Sequence, residues 1–196
     1  MKKEILFYSL VSILIWGICS ARHSYSKSPT EEGQLILVGV GAFNDGFYDI
    51  AEEQFSHFIR DYPNHGRIYD VCYLLGKTLL MKGKLREAKT IFTKIINENK
   101  SFENMDYALF WAGEVERKLG NEEEAGKILL SITKRFPKFE WIDYCYYLLG
   151  HLELGSNKPI QSESSFKKAC LLSKRNELTR SSLFWLGILS YKKKDY

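Results

Sequence analysis

The chain has 196 residues, of which 45% are hydrophobic and 27% are charged, and its formal net charge is only +4. This composition is typical of a globular protein of one or two domains. Because the lysines and arginines are scattered among acidic residues and form no basic stripe, nucleic acid is not expected as the main partner.

The amino terminus has the pattern of a secretory signal peptide. Lys2 and Lys3 precede an apolar run from Ile5 to Cys19, and small residues follow up to Ala21. The run is shorter than the roughly 20 residues that a membrane-spanning helix needs. The sequence therefore predicts a signal peptide over residues 1–21 with cleavage after Ala21, and the alternative is an uncleaved amino-terminal anchor.

Cysteine usage leaves one further alternative at this end. Cys19 follows the apolar run, as a lipidated cysteine would, but the preceding residue, Ile18, is larger than the residue normally found there. The other three cysteines, Cys72, Cys145 and Cys170, lie in apolar helical contexts without metal-ligand spacing, so we expect buried thiols and no metal site.

Residues 22–33, RHSYSKSPTEEG, are polar and lack periodicity, which predicts a disordered connector. A repeat fills the chain from Gln34 to Tyr196. A glycine that follows four bulky residues recurs every 37 residues, at Gly39, Gly76, Gly113, Gly150 and Gly187. Such self-similarity is the signature of a repeat array.

Other landmarks keep the same register. Seven residues after the repeat glycine comes a turn residue: Gly46, Gly83, Gly120 and Asn157. A small residue follows at Ala51, Ala88, Ala125 and Ser162, and then a large apolar one at Phe55, Phe92, Leu129 and Phe166. Each unit is thus predicted to be a helix, a tight turn and an antiparallel helix.

Two details of the unit carry physical expectations. A glycine inside a helix costs about 1 kcal/mol relative to alanine, so its return in every copy indicates close approach of the neighbouring helix. In the third copy Asn121 is expected to cap the second helix, with Glu124 completing a capping box.

The order of bulky residue, Leu-Gly, turn glycine, Ala, Phe and Pro resembles the tetratricopeptide repeat (TPR), although the unit has 37 residues instead of the usual 34. The resemblance covers residues 32–196. It implies an all-α, right-handed superhelical solenoid of antiparallel helix pairs: four pairs and the first helix of a fifth. Because that last helix is apolar and lacks a partner, we expect a fragment of a longer array, and the alternative is a terminal capping helix.

The YP and FP stops, the long links after them and the segment ALFWAGEV look like the periplasmic repeat proteins of bacterial envelopes. Two types are similar: the Tol-Pal-associated type and the outer-membrane-assembly lipoprotein of BamD type. The resemblance implies a periplasmic, non-enzymatic scaffold that binds a partner peptide or protein along its concave face. The alternative is a lipid-anchored structural subunit of an outer-membrane protein assembly complex.

No catalytic motif or phosphate-binding loop is present, so neither an enzyme nor a cofactor is expected. By resemblance, one ring per unit faces the groove, with polar residues beside it. The candidate partner-binding residues are Tyr73, Lys77, Phe110, Glu114, Arg117, Tyr147, His151 and Phe184. The alternative is that these rings are core, whereas Leu37, Leu74, Trp111, Leu148 and Trp185 are expected to pack between units.

Overall fold

The structure, a computed structural model, describes residues 30–194. The predicted signal peptide, Cys19 and most of the predicted connector lie outside these residues. The chain divides into two compact units, residues 1–34 and 35–196, and nearly all of the described residues lie in the second.

The described residues form nine α-helices of similar length. They are α1 (Glu31–Asn44), α2 (Tyr48–Asp61), α3 (Ile68–Met81), α4 (Leu85–Glu98), α5 (Met105–Lys118), α6 (Glu122–Arg135), α7 (Ile142–Gly155), α8 (Pro159–Leu172) and α9 (Asn176–Lys194). Helix α1 begins at Glu31, within the predicted connector, because Glu31 and Glu32 suit the first turn of a helix.

Neighbouring helices pack in chain order. From α2 onward each helix contacts the next, so a first and a second helix form a pair and the second helix also contacts the following pair. First helices of neighbouring pairs approach one another directly, α3 with α5 and α7 with α9. The predicted all-α solenoid of antiparallel helix pairs is confirmed, and its first helices share one side of the array.

The repeat glycines provide the space that the second helix needs. A Cβ atom on Gly76 or Gly150 would lie 2.8 Å from the ring of Phe92 or Phe166. Both rings are fully buried. The close approach predicted from the glycines is therefore confirmed at Gly76 and Gly150, and the group that requires it is the large apolar side chain of the second helix. At Gly187 no atom lies within 4 Å of the position of a Cβ.

The turns between paired helices also follow the sequence prediction. Gly46, Gly83 and Gly120 have φ values of 81°, 75° and 81°, and Asn157 takes φ 57° at the equivalent position. This left-handed backbone favours glycine and tolerates asparagine, which explains the residue types found at the four turns.

The predicted capping box at Asn121 is wrong. The Asn121 side chain makes no hydrogen bond to the first turn of α6. Its Nδ2 instead donates to Glu116 Oε2 at 2.7 Å, and Glu116 also pairs with Lys89 of the preceding unit at 2.8 Å. Because Glu116 is buried, its carboxylate needs these donors. The hydrogen bond from Nδ2 holds the Asn121 side chain in an orientation in which its oxygen does not cap α6.

The three cysteines among residues 30–194 are free thiols. Cys72 and Cys145 are buried, as predicted, and burial raises the pKa of each thiol, to about 12 for Cys145. Cys170 is only half-buried, since it lies near the end of α8, where its Sγ approaches the Thr179 carbonyl oxygen at 3.6 Å.

Candidate partner-binding site

The candidate residues lie on the first helices. We call the surface formed by Tyr73, Lys77, Arg117, Tyr144, Tyr147 and His151, on α3, α5 and α7, the first-helix face. All six side chains are half-buried. They are therefore held by the fold and still reachable from outside.

Lys77 is enclosed by aromatic rings from three successive first helices. Its Nζ lies 5.0 Å from the Phe43 ring centroid, 5.6 Å from that of Tyr73 and 5.8 Å from that of Trp111. The Trp111 Nε1 donates to the Tyr73 hydroxyl at 3.2 Å, which fixes two of the three rings. Burial lowers the pKa of Lys77, while the ring faces favour its charged form.

In the next first helix, α5, Glu114 occupies the position equivalent to Lys77 and forms an ion pair with Arg117. The Nε and Nη2 atoms of Arg117 donate to the two carboxylate oxygens of Glu114, each at 3.0 Å. Glu114 is buried and Arg117 half-buried, and the hydrogen bonds that Arg117 donates to Glu114 raise the pKa of Arg117. Since each charge satisfies the other, this pair has little capacity left for a partner.

His151 repeats the Lys77 arrangement two units later. Its ring centroid lies 4.6 Å from Tyr147, 5.2 Å from Phe166 and 4.9 Å from Trp185. Tyr147 and Trp185 occupy the positions that Tyr73 and Trp111 occupy around Lys77. Burial, and then the charge of Arg117, lower the pKa of His151, so the imidazole is neutral at pH 7.

Besides the buried Glu114, the candidates Phe110 and Phe184 are not half-buried members of this face. Phe110 is only 3% exposed and packs against Trp141 at 5.0 Å, Phe139 at 6.1 Å and Tyr144 at 6.0 Å, so it is a core ring. Phe184, on α9, is instead 64% exposed.

Sequence reasoning missed Phe43 and Tyr144, and it assigned Trp111 and Trp185 wholly to packing. Both tryptophans are half-buried and contact the charged or titratable residue at the centre of each ring cluster. A usable signal was present, because Tyr73 and Trp111 recur as Tyr147 and Trp185 at the same spacing.

A small cavity of about 280 Å³ lies at the α7 end of the first-helix face. Its lining includes Tyr144 and Tyr147, whose rings stack at 6.0 Å, and also Leu178 and Arg175. Arg175 is paired with the buried Asp143 at 2.5 Å. This volume is below the range usual for small-molecule sites and suits one side chain of a partner.

Within residues 30–194, no group of three or more His, Cys, Asp and Glu residues is arranged to hold a metal ion. None of the described helices is both long and apolar enough to cross a membrane.

Comparison with known proteins gives two family matches. Models of the tetratricopeptide repeat match residues 69–102 and residues 107–138. These are the second and third units of the array. No curated protein matches the chain at a significant level.

Several solved structures share the fold. A tetratricopeptide repeat protein from Parabacteroides merdae ATCC 43184 matches with a TM-score of 0.71 and 19% identity over 82% of this chain and 60% of that one. MamA from Desulfovibrio magneticus RS-1 matches with a TM-score of 0.67 and 19% identity over 86% of this chain and 89% of that one. YrrB is described as a TPR protein with an unusual peptide-binding site. It matches with a TM-score of 0.65 and 18% identity over 78% of this chain and 74% of that one. The chain thus spans 60% of the first of these.

Proposed function

We propose that this chain, in which two units match models of the tetratricopeptide repeat, is a non-enzymatic scaffold which binds a partner peptide or protein through its first-helix face. The observation that carries the proposal is the environment of Lys77. Its ammonium group is half-buried among three rings, and in the described part of the chain no carboxylate forms an ion pair with it.

The Lys77 charge has a clear chemical complement. Ring faces stabilise an ammonium by about 0.5–2 kcal/mol, but they leave its hydrogen-bond donors unused. A carboxylate of a partner would accept those donors where the surrounding rings restrict water, which strengthens the charge-assisted bond. We therefore expect an acidic group of the partner at the α3 end of the face.

The α7 end of the face favours a different kind of group. His151 is neutral there, and the stacked rings of Tyr144 and Tyr147 border the small cavity. Aromatic walls gain most from burying an apolar side chain. The proposed partner is therefore a segment with an acidic group and an apolar one. YrrB, which shares the fold, is described as having a peptide-binding site.

Charge reversal at Lys77 tests this function. Lys77→Glu should reduce capture of the partner from native envelope extracts at least ten-fold, because like charges would then face each other. Lys134→Glu is the matched control, since Lys134 is exposed on the second helix α6. Equal capture by the two variants, with unchanged helical circular dichroism, would contradict binding at the first-helix face.

The proposed location is the periplasm of a bacterial cell. Support comes from the leader pattern of Lys2, Lys3 and the apolar run to Cys19, and from the resemblance to envelope proteins of the Tol-Pal-associated type. Fractionation of cells that produce the whole chain should place it in the periplasm, whereas deletion of residues 1–21 should leave it in the cytoplasm. If the chain without residues 1–21 were still found in the periplasm, this part of the proposal would be wrong.

The second candidate is the lipid-anchored subunit of an outer-membrane protein assembly complex, which the position of Cys19 favours. Growth with a fatty-acid probe distinguishes the two. A soluble periplasmic protein should remain unlabelled, while a lipoprotein should be labelled and should lose the label in Cys19→Ser.

A further inference from the structure

One position of the second helices joins neighbouring units through a charged side chain. It directly follows the small residue of the second helix and is occupied by Glu52, Lys89, Gly126 and Glu163. At three of these positions an ion pair crosses to the next first helix or to the turn after it: Glu52 with Lys82 at 2.6 Å, Lys89 with Glu116 at 2.8 Å and Glu163 with Lys193. Gly126 has no side chain that could form such a pair.

Glu153 is the carboxylate that lacks the equivalent lysine. It stands at the repeat position of Glu116, just as Gly126 stands at that of Lys89. Glu153 is half-buried and accepts a hydrogen bond from the Ser165 hydroxyl at 2.6 Å. It forms no ion pair with any residue in the part of the chain that the structure describes. Because a carboxylate that is partly withdrawn from water is favoured by an opposite charge, Glu153 can still take a cation.

A groove of about 380 Å³ lies at Gly126 and is lined by residues of α6, α7 and α8. The atom nearest to the position of a Cβ on Gly126 is Leu152 Cδ1, at 4.0 Å, so the space beside the glycine is open. Leu130, Leu149 and Leu152 supply apolar lining, and Glu153 lines the same groove. The volume lies in the range of small-molecule sites. This lining suits an aliphatic chain that carries an ammonium group.

The other charged groups of the groove indicate a second ammonium. Lys127 pairs with Glu123 at 2.9 Å. The hydrogen bond from Lys127 lowers the pKa of Glu123, and the charge of Lys158 adds to this effect, so the two lysines offset the charge of Glu123. Glu122 also lines the groove and forms no ion pair among residues 30–194. Two carboxylates, Glu122 and Glu153, are thus left without a cation.

We propose that this groove binds a linear aliphatic diamine as its dication. One ammonium pairs with Glu153, as Lys89 pairs with Glu116 in the preceding unit, and the other pairs with the exposed Glu122. The methylenes lie against the apolar lining. Since the stem of a lysine side chain has four carbons, a diamine of about four or five carbons fits the same space. The site shares no residue with the first-helix face, so it does not depend on the proposed function.

The probe is 1,5-diaminopentane, because both of its amines are charged at pH 7. Titration of the purified chain, followed by ¹H–¹⁵N NMR spectra, should shift the amide signals of Gly126 and Leu152 with one saturable curve. Pentylamine, which has a single ammonium, should bind at least ten-fold more weakly. The uncharged 1,5-pentanediol should leave these signals unchanged.

Gly126→Lys lets the chain supply its own ammonium to Glu153. Because the space at Gly126 is open and lysine has the higher helix propensity, this variant should unfold at the same temperature or higher. It should lose at least ten-fold in affinity for the diamine. Gly41→Lys is the matched control, since it adds the same charge in α1 at a glycine with no atom within 4 Å of the position of a Cβ. It should bind the diamine as the unaltered chain does.

Glu153→Gln tests the carboxylate itself. The amide oxygen can still accept the hydrogen bond from Ser165, so the fold should be retained, while the affinity for the diamine should fall at least ten-fold. The proposal is wrong if the unaltered chain shows no saturable binding, or if Gly126→Lys or Glu153→Gln binds as tightly as the unaltered chain.

The controls can also overturn the proposal. A loss of affinity in Gly41→Lys equal to that in Gly126→Lys would show that added charge alone explains the effect. Equal affinities for pentylamine and the diamine would show that the groove takes a single ammonium, such as the lysine side chain of a partner, and would contradict a site for a dication.

Discussion

Substitution of the repeat glycines by alanine gives a stability series that separates packing from helix propensity. In Gly150→Ala the new Cβ would lie 2.8–2.9 Å from three atoms of the Phe166 ring, whereas in Gly113→Ala its nearest neighbours are Ile128 and Leu129 at 3.5–3.6 Å. The second distance is ordinary contact. The first requires the Phe166 ring to move.

The Phe166 ring has little freedom to move. It is fully buried, stacks on Trp185 with centroids 6.2 Å apart, and meets the edges of Tyr147 at 5.9 Å and His151 at 5.2 Å. Overpacking of this kind costs about 1–3 kcal/mol. Both variants gain the same helix propensity, about 1 kcal/mol, so their difference isolates the overpacking cost.

We therefore expect Gly150→Ala to be less stable than Gly113→Ala by about 1–3 kcal/mol. For a chain of this size that corresponds to roughly 2–12 °C in the midpoint of unfolding. Thermal and urea unfolding followed by circular dichroism would measure it, with Gly187→Ala as a control that adds a Cβ in open space. If Gly150→Ala proves as stable as Gly113→Ala, the packing account of the repeat glycines is wrong.

Two further predictions concern core and charge. Phe110→Ala should lower the free energy of unfolding, measured by urea unfolding, by about 3–5 kcal/mol. Phe184→Ala should change it by less than about 0.5 kcal/mol. Similar losses in the two variants would contradict the assignment of Phe110 to the core. Hydrogen bonds from Lys167 and Lys193 lower the pKa of Glu163 from 4.5 to about 2, so the stabilising contribution of Glu163 is present above pH 4.5 and is lost as the pH falls toward 2. The hydrogen-exchange protection factors of α9, which are corrected for the intrinsic pH dependence of exchange, should fall over that interval and not in Glu163→Gln; a fall of equal size in that variant would refute the link.

The sequence predicts the helix pairs because the residues that form each pair lie within a single repeat unit. Glycine or asparagine at a left-handed turn, and a glycine opposite a bulky side chain, are both set by residues at fixed spacing within one unit. The repeat of 37 residues makes these signals visible several times. Helix order, turn geometry and the contact between paired helices could therefore be predicted.

Whether the aromatic ring at each groove position is buried or exposed could not be predicted in the same way. Tyr73 and Phe110 occupy the same position of the repeat, yet Phe110 is covered by Trp141, whereas the residue equivalent to Trp141 in the preceding unit is Asn104. A difference in the link between units thus decides whether a ring is core or surface. The prediction that Asn121 caps α6 failed for a similar reason, since the hydrogen bond from its Nδ2 to Glu116 of α5 sets the orientation of the side chain.

Photo-crosslinking in cells tests the central claim most directly. The photoreactive residue p-benzoyl-phenylalanine would replace Tyr73 or Tyr147 on the first-helix face, Lys134 on the outer side of α6, or Phe184 on α9. Binding through the first-helix face predicts a crosslinked partner from positions 73 and 147 and none from position 134. A partner captured from position 134 or 184, with none from positions 73 and 147, would contradict the proposed function.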